Sequence, residues 1–99
     1  MIKLTEVCSL GTYTTNQKFV LRDVLINPEH VVMVREETQY RQLNEQAGLV
    51  EGLSPSHRFS KLIVNRGSTG SEIIVIGSPQ TIEEKLRLHH AANKQLLKG

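Results

Sequence analysis

The sequence predicts a β-rich α+β domain: a strongly bent antiparallel sheet or small SH3-like barrel of about five strands, followed by one C-terminal amphipathic helix. Three observations carry this. Aromatic residues make up only 4% of the chain and Trp is absent, so the core must be built from Val, Ile and Leu, and branched side chains of that kind pack well on a pleated surface. Two segments, Val31-Val32-Met33-Val34 and Ile73-Ile74-Val75-Ile76, are unbroken apolar runs, the signature of strands covered on both faces. The last twenty residues repeat apolar positions at helical spacing.

The elements follow in order. Residues 2–7 read as a strand with Ile2 and Leu4 on one face and Lys3 and Thr5 on the other. Residues 9–17 are rich in turn formers, although their Thr and Tyr residues suit a strand edge. A second strand, 18–26, is stopped by Asn27-Pro28, because proline has no N–H to give a ladder. A third covers 30–37, with a barrel interior expected on one side and a helix or second subunit on the other. Residues 39–58 then break the pattern as an inserted loop, with a short helix available to Arg41–Ala47 ending at Gly48. Segments this long between elements are uncommon in compact domains and are often functional. Residues 59–66 and 72–76 read as a hairpin around Gly67-Ser68-Thr69-Gly70. In the final helix, 78–98, Ser78 is a suitable N-cap and Pro79 suits the first helical position. Glu83 and Glu84 lie near the positive end of the dipole, and Lys94 and Lys98 near the negative end. Consecutive strands with short connections predict a meander, and a half-closed barrel would remove its exposed edges.

At 99 residues the chain has room for one domain. A formal charge of +2 is too small to imply nucleic acid by itself. A single cysteine, Cys8, forms no internal disulfide, and a domain this small without covalent staples fits a reducing cytoplasm. The opening residues lack the apolar core of a signal peptide, and no apolar run reaches the ~20 residues of a membrane span.

The opening Met1-Ile2-Lys3-Leu4-Thr5, the stretch Ile26-Asn27-Pro28-Glu29-His30-Val31-Val32 and the glycine-bearing hairpin before an acidic helix resemble the FlbD-type small proteins of bacterial flagellar operons, with similar sequences in bacteriophage genomes. The resemblance touches 1–37 and 59–88; residues 39–58 depart from the pattern. It implies a non-enzymatic accessory protein of motility or a phage relative acting on a host factor, and it transfers no catalytic residue.

The chemistry-bearing residues are weak candidates for catalysis. Cys8, His30, His57, His89 and His90 show no metal-ligand spacing, so no metal and no cofactor is expected. Adjacent His89 and His90 diverge by about 100° on a helix. Gly67–Gly70 lacks the lysine and helix of a phosphate loop. Glu36 and Glu37, adjacent on a strand, point to opposite faces and cannot share a proton. No nucleophile elbow is present. No enzyme is expected.

Two kinds of binding surface remain. Arg35, Arg41, Arg58, Lys61 and Arg66, with Tyr40 and Phe59 beside two of them, form a rim suited to a partner, a nucleic acid or an anionic nucleotide, although Glu36, Glu37, Glu45 and Glu51 lie in the same region. A homo-oligomer is the second expectation. The apolar surface exceeds what one helix can shield, and the stripe through Ile82, Leu86, His89, Leu96 and Leu97 offers an interface. The leading function is a non-catalytic protein-binding or assembly module.

Overall fold

The computed structural model describes residues 1–9, 19–50, 52–66 and 69–98; side chains are described for these residues except Arg66, Thr69 and 92–98. The strands are β1 (Ile2–Ser9), β2 (Phe19–Ile26), β3 (Val31–Glu36), β4 (Phe59–Arg66) and β5 (Thr69–Ile76). A single 3-10 turn, Pro28–His30, joins β2 to β3. Helix α1 (Thr38–Ala47) lies between β3 and β4, and α2 (Pro79–Lys98) follows β5. The expected turn-rich stretch 9–17 and the glycine-rich hairpin tip fall largely outside the described residues.

The sheet is antiparallel, with the order β2-β1-β5-β4-β3. This corrects two expectations. It is not a simple meander: β5 inserts beside β1, pairing Glu6 with Val75, and so joins the β1–β2 hairpin to the β3–β4–β5 meander. Nor is it a closed barrel. Among the described residues β2 and β3 do not pair, and each is an open edge.

Both faces of the sheet are apolar, and each has its own cover. On one face Ile2, Leu4, Ile26, Leu62 and Val75 pack with Ile82 of α2, with Leu86 against the cluster's margin. On the other, Val7 and Phe59 pack with Leu49, joined by Phe19, Leu21, Ile74, Ile76, Tyr40, Val50 and Leu53. The period of two along a strand places Phe59 on one side and Leu62 on the other. The unbroken runs are thus explained, but not by a barrel interior. Helix α2 covers one face, while α1 and the chain after it cover the other.

Local chemistry places these covers. Glu37 caps α1 by accepting from the Gln39 N–H at 3.3 Å, so the helix begins three residues earlier than the sequence pattern predicts. Gly48 ends it at φ 70°, a conformation that glycine adopts without strain. Asn44 then holds the segment that follows. Its Oδ1 accepts from the buried Leu49 N–H at 3.2 Å, and its Nδ2 donates to the Ser54 carbonyl at 2.8 Å. Asn44 is only 2% exposed, so these bonds compensate its desolvation. At the other cover, Ser78 Oγ accepts from the Thr81 N–H at 3.2 Å as an N-cap. Gly77 makes the turn at φ 126°, where an added Cβ would lie 3.3 Å from Ile82. Buried Ser60 donates to the Gly77 carbonyl at 2.7 Å, fixing that turn to β4.

One sequence reading of α2 changes. Ile82 has no exposed surface and belongs to the core, so it cannot serve in the oligomer interface expected of it; it lies where α2 leaves the sheet and is covered at once. On the exposed side of α2, Arg87 pairs with Glu84, three residues earlier. No helix among the described residues is long and apolar enough to cross a membrane.

Two substitutions test this account by chemical denaturation. Leu62→Ala is expected to cost about 2–5 kcal/mol, because a fully buried residue leaves a cavity in the α2 core. Asn44→Ala is expected to cost about 1–3 kcal/mol by stranding the Leu49 N–H and the Ser54 carbonyl, with hydrogen exchange accelerating first in 49–54.

Candidate interaction surface

The expected cationic rim is assembled, but its charges are matched within the molecule. β3, α1 and the approach to β4 meet around Glu36. Its carboxylate accepts from Arg58 Nε at 2.7 Å and also from Arg58 Nη2, and it lies 3.9 Å from Arg41 Nη1. Arg41 turns its Nε to Glu45, one helical turn on, at 3.2 Å. Lys61 sits between Glu37 at 3.5 Å and Glu72 at 3.9 Å. The Glu36–Arg58 and Glu37–Lys61 pairs bridge elements distant in sequence, tying the start of α1 and the end of the inserted segment to the sheet. Half-exposed pairs of this kind contribute little singly, but they leave no strong positive field across the rim.

Arg35 is exposed and lies directly across from Lys61 in the β3–β4 ladder. Its Nη2 donates to the Met33 sulfur at 3.7 Å. Like charges opposed across strands repel, and the Glu37 and Glu72 carboxylates on Lys61 relieve that. Tyr40 is no stacking platform. Its ring meets Phe19 edge-on at 5.4 Å and Phe59 at 6.4 Å, within the second core. The side chain of Arg66 lies outside the described residues.

Of the helix stripe, Leu86 is half-buried against the α2 core. His89 stands beside His90, their rings 6.2 Å apart. His90 Nδ1 lies 3.5 Å from Glu29, linking α2 to the 3-10 turn. The side chains of Leu96 and Leu97 lie outside the described residues. Sequence reasoning missed other apolar side chains that the fold leaves in solvent: Leu25 and Val32, each 64% exposed, on the two edge strands, and Leu88 on α2. Nothing local marks Leu25 and Val32, because each stands in an apolar run whose other members are more covered.

A cleft of about 290 Å³ opens where β2 ends. Val24, Ile26, Val64 and Ile73 line it, with Asn27 and His30 of the connecting turn at its rim. Asn27 Oδ1 accepts from the Glu29 N–H at 3.0 Å and caps that turn. The cleft's size is at the low end for ligand pockets; it suits one or two side chains better than a large ligand.

The lone thiol behaves as a guarded group. Burial raises the Cys8 pKa above its ordinary value. The charge of Glu6 raises it further, as does the hydrogen bond that the thiol donates to the Glu6 carboxylate, and Arg22 opposes them. A raised pKa means less thiolate at a given pH, and the thiolate is the nucleophile. At pH 8 Cys8 is expected to alkylate with iodoacetamide more slowly than free cysteine, and Glu6→Gln to speed it; an unchanged rate in that variant would remove Glu6 from the account. Compared with known proteins, the chain matches no family model, no curated protein and no solved structure.

Proposed function

We propose that this protein is a non-catalytic protein-binding or assembly module that acts through the open ends and edges of its sheet. The observation that carries this reading is the pairing of two unclosed edge strands with exposed apolar side chains on both, Leu25 on β2 and Val32 on β3. Open edges offer unpaired N–H and C=O groups to another chain, and apolar side chains beside them supply the hydrophobic contact that strand addition needs.

The shape of the sheet supports the same reading. The two edges are joined through Asn27–His30, a turn closed by a 3.0 Å bond from the His30 N–H to the Asn27 carbonyl. Such a turn keeps its end Cα atoms within about 7 Å, and one Cα step of about 3.8 Å on each side separates β2 from β3 there by at most about 15 Å. Four strand spacings of a flat sheet come to about 19 Å. That difference supports a sheet bent at this end, with the cleft on its concave side.

A binder of nucleic acid or an anionic nucleotide is the weaker reading. Arg41, Arg58 and Lys61 all have carboxylates beside them, and a backbone-tracking groove needs cations that are free to meet phosphates. An accessory role in motility or a phage, as the resemblance to the FlbD-type proteins implies, agrees with a binding module.

Self-association tests the assembly side of the proposal. Val32 lies on β3 and Leu88 on α2, two elements in contact with each other. Sedimentation velocity at micromolar concentration is expected to show a discrete oligomer, with Val32→Glu and Leu88→Glu shifting it toward monomer while the circular dichroism spectrum is kept. A strict monomer at all concentrations would sink the assembly role.

A further inference from the structure

The two edges of the sheet are not equivalent. β3 has six residues, and its ladder with β4 shifts between Val31 and Met33. Such bulges are a common means of spoiling an edge for further pairing. β2 has eight residues and runs against β1 in unbroken register, from Ile2 opposite Ile26 to Ser9 opposite Phe19. Among the described residues no strand pairs with its outer side. A long, regular, largely apolar edge is a template for another strand. The same strand provides Val24 and Ile26 to the wall of the cleft.

We infer that the outer edge of β2 captures an extended segment of a partner protein as a sixth strand, with an aliphatic side chain of that segment seated in the cleft. This rests on the protein-binding reading and names its site and ligand. The recognition chemistry is set by what β2 already accepts on its inner side: Ile2 opposite Ile26, Leu4 opposite Val24, and Glu6 opposite Arg22. A strand added outside meets the same side chains. It needs aliphatic residues at two alternate positions, opposite Ile26 and Val24, which fall on the α2 side where the cleft opens. Two residues further on it needs a carboxylate opposite Arg22, which is exposed.

A second copy of β2 meets these demands poorly. In a two-fold antiparallel pair, side chains of one parity stay on one face, so paired residue numbers sum to an even value. The two longest such overlaps set Arg22 against Arg22 or Asp23 against Asp23, and like charges directly opposed repel. The edge therefore favours a foreign segment of the pattern aliphatic–x–aliphatic–x–acidic.

The test uses the full-length protein and a labelled synthetic peptide reproducing Ile2–Ser9 with serine in place of the cysteine, followed by anisotropy and hydrogen exchange. Saturable binding is expected, with added protection confined to β2 amides. Proline scanned through the peptide should abolish binding at alternate positions only, because each strand residue bonds to one side. Lysine in place of the peptide's glutamate should weaken binding several-fold. Ser71→Phe, at the exposed rim of the cleft, should weaken it roughly tenfold, equivalent to about 1.4 kcal/mol. No saturable binding, loss at every proline position alike, or an unchanged affinity in Ser71→Phe would overturn the inference. So would β2 amides already protected without peptide and released on dilution, which would assign the edge to a second copy. Sedimentation of the free protein is independent of all these outcomes, so failure of the peptide test with an intact oligomer removes this site and leaves the assembly reading standing.

Discussion

The central strands of this sheet are apolar on both sides, and that constraint governs the rest of the molecule. β5 presents Ile73 and Val75 to one face and Ile74 and Ile76 to the other; β4 does the same with Leu62 and Phe59. One helix can shield only one face of a sheet. With α2 on the first face, the second must be covered by other chain, and the segment between β3 and β4 is the chain available. The inserted segment is in this sense a structural element. Tyr40, Leu49, Val50 and Leu53 close the second core.

That role explains why the segment is held by polar contacts. A helix followed by irregular chain has backbone groups that must find partners when buried. Asn44 supplies two of them, Glu37 caps the helix start, and the Glu36–Arg58 pair joins the entry to the exit of the insertion. Charged residues that look from the sequence like a ligand-facing rim are largely occupied in holding a cover on a small domain. A domain of this size has a thin margin of stability, and ordering a long insertion costs conformational entropy that such contacts offset.

The same economy shapes the interaction surface. Covering both faces leaves the edges, since the strand order places β2 and β3 at the ends of an open sheet. β3 is protected by its bulge and by the neighbouring α2, whereas β2 is regular and faces a cleft. What remains uncovered there is backbone and a small apolar socket beside the exposed Arg22, the features on which the proposed capture of an extended segment rests.

The sequence by itself determined the elements. Alternation and apolar runs mark the strands, Asn27-Pro28 ends β2, and Ser78-Pro79 begins α2, because these signals act through local sterics and local hydrogen bonds. The insertion was legible as an interruption, and Arg41, Arg58 and Lys61 as charges around it. Tertiary structure alone decided the strand order, since the pairing of β1 with β5 joins residues some seventy positions apart and no local pattern encodes it. It also decided that Arg58 meets Glu36, that Tyr40 lies in a core, that Ile82 is buried between α2 and the sheet, and which edge stays regular. Those outcomes depend on which faces the packed layers cover, and a burial decision of that kind is a property of the whole chain.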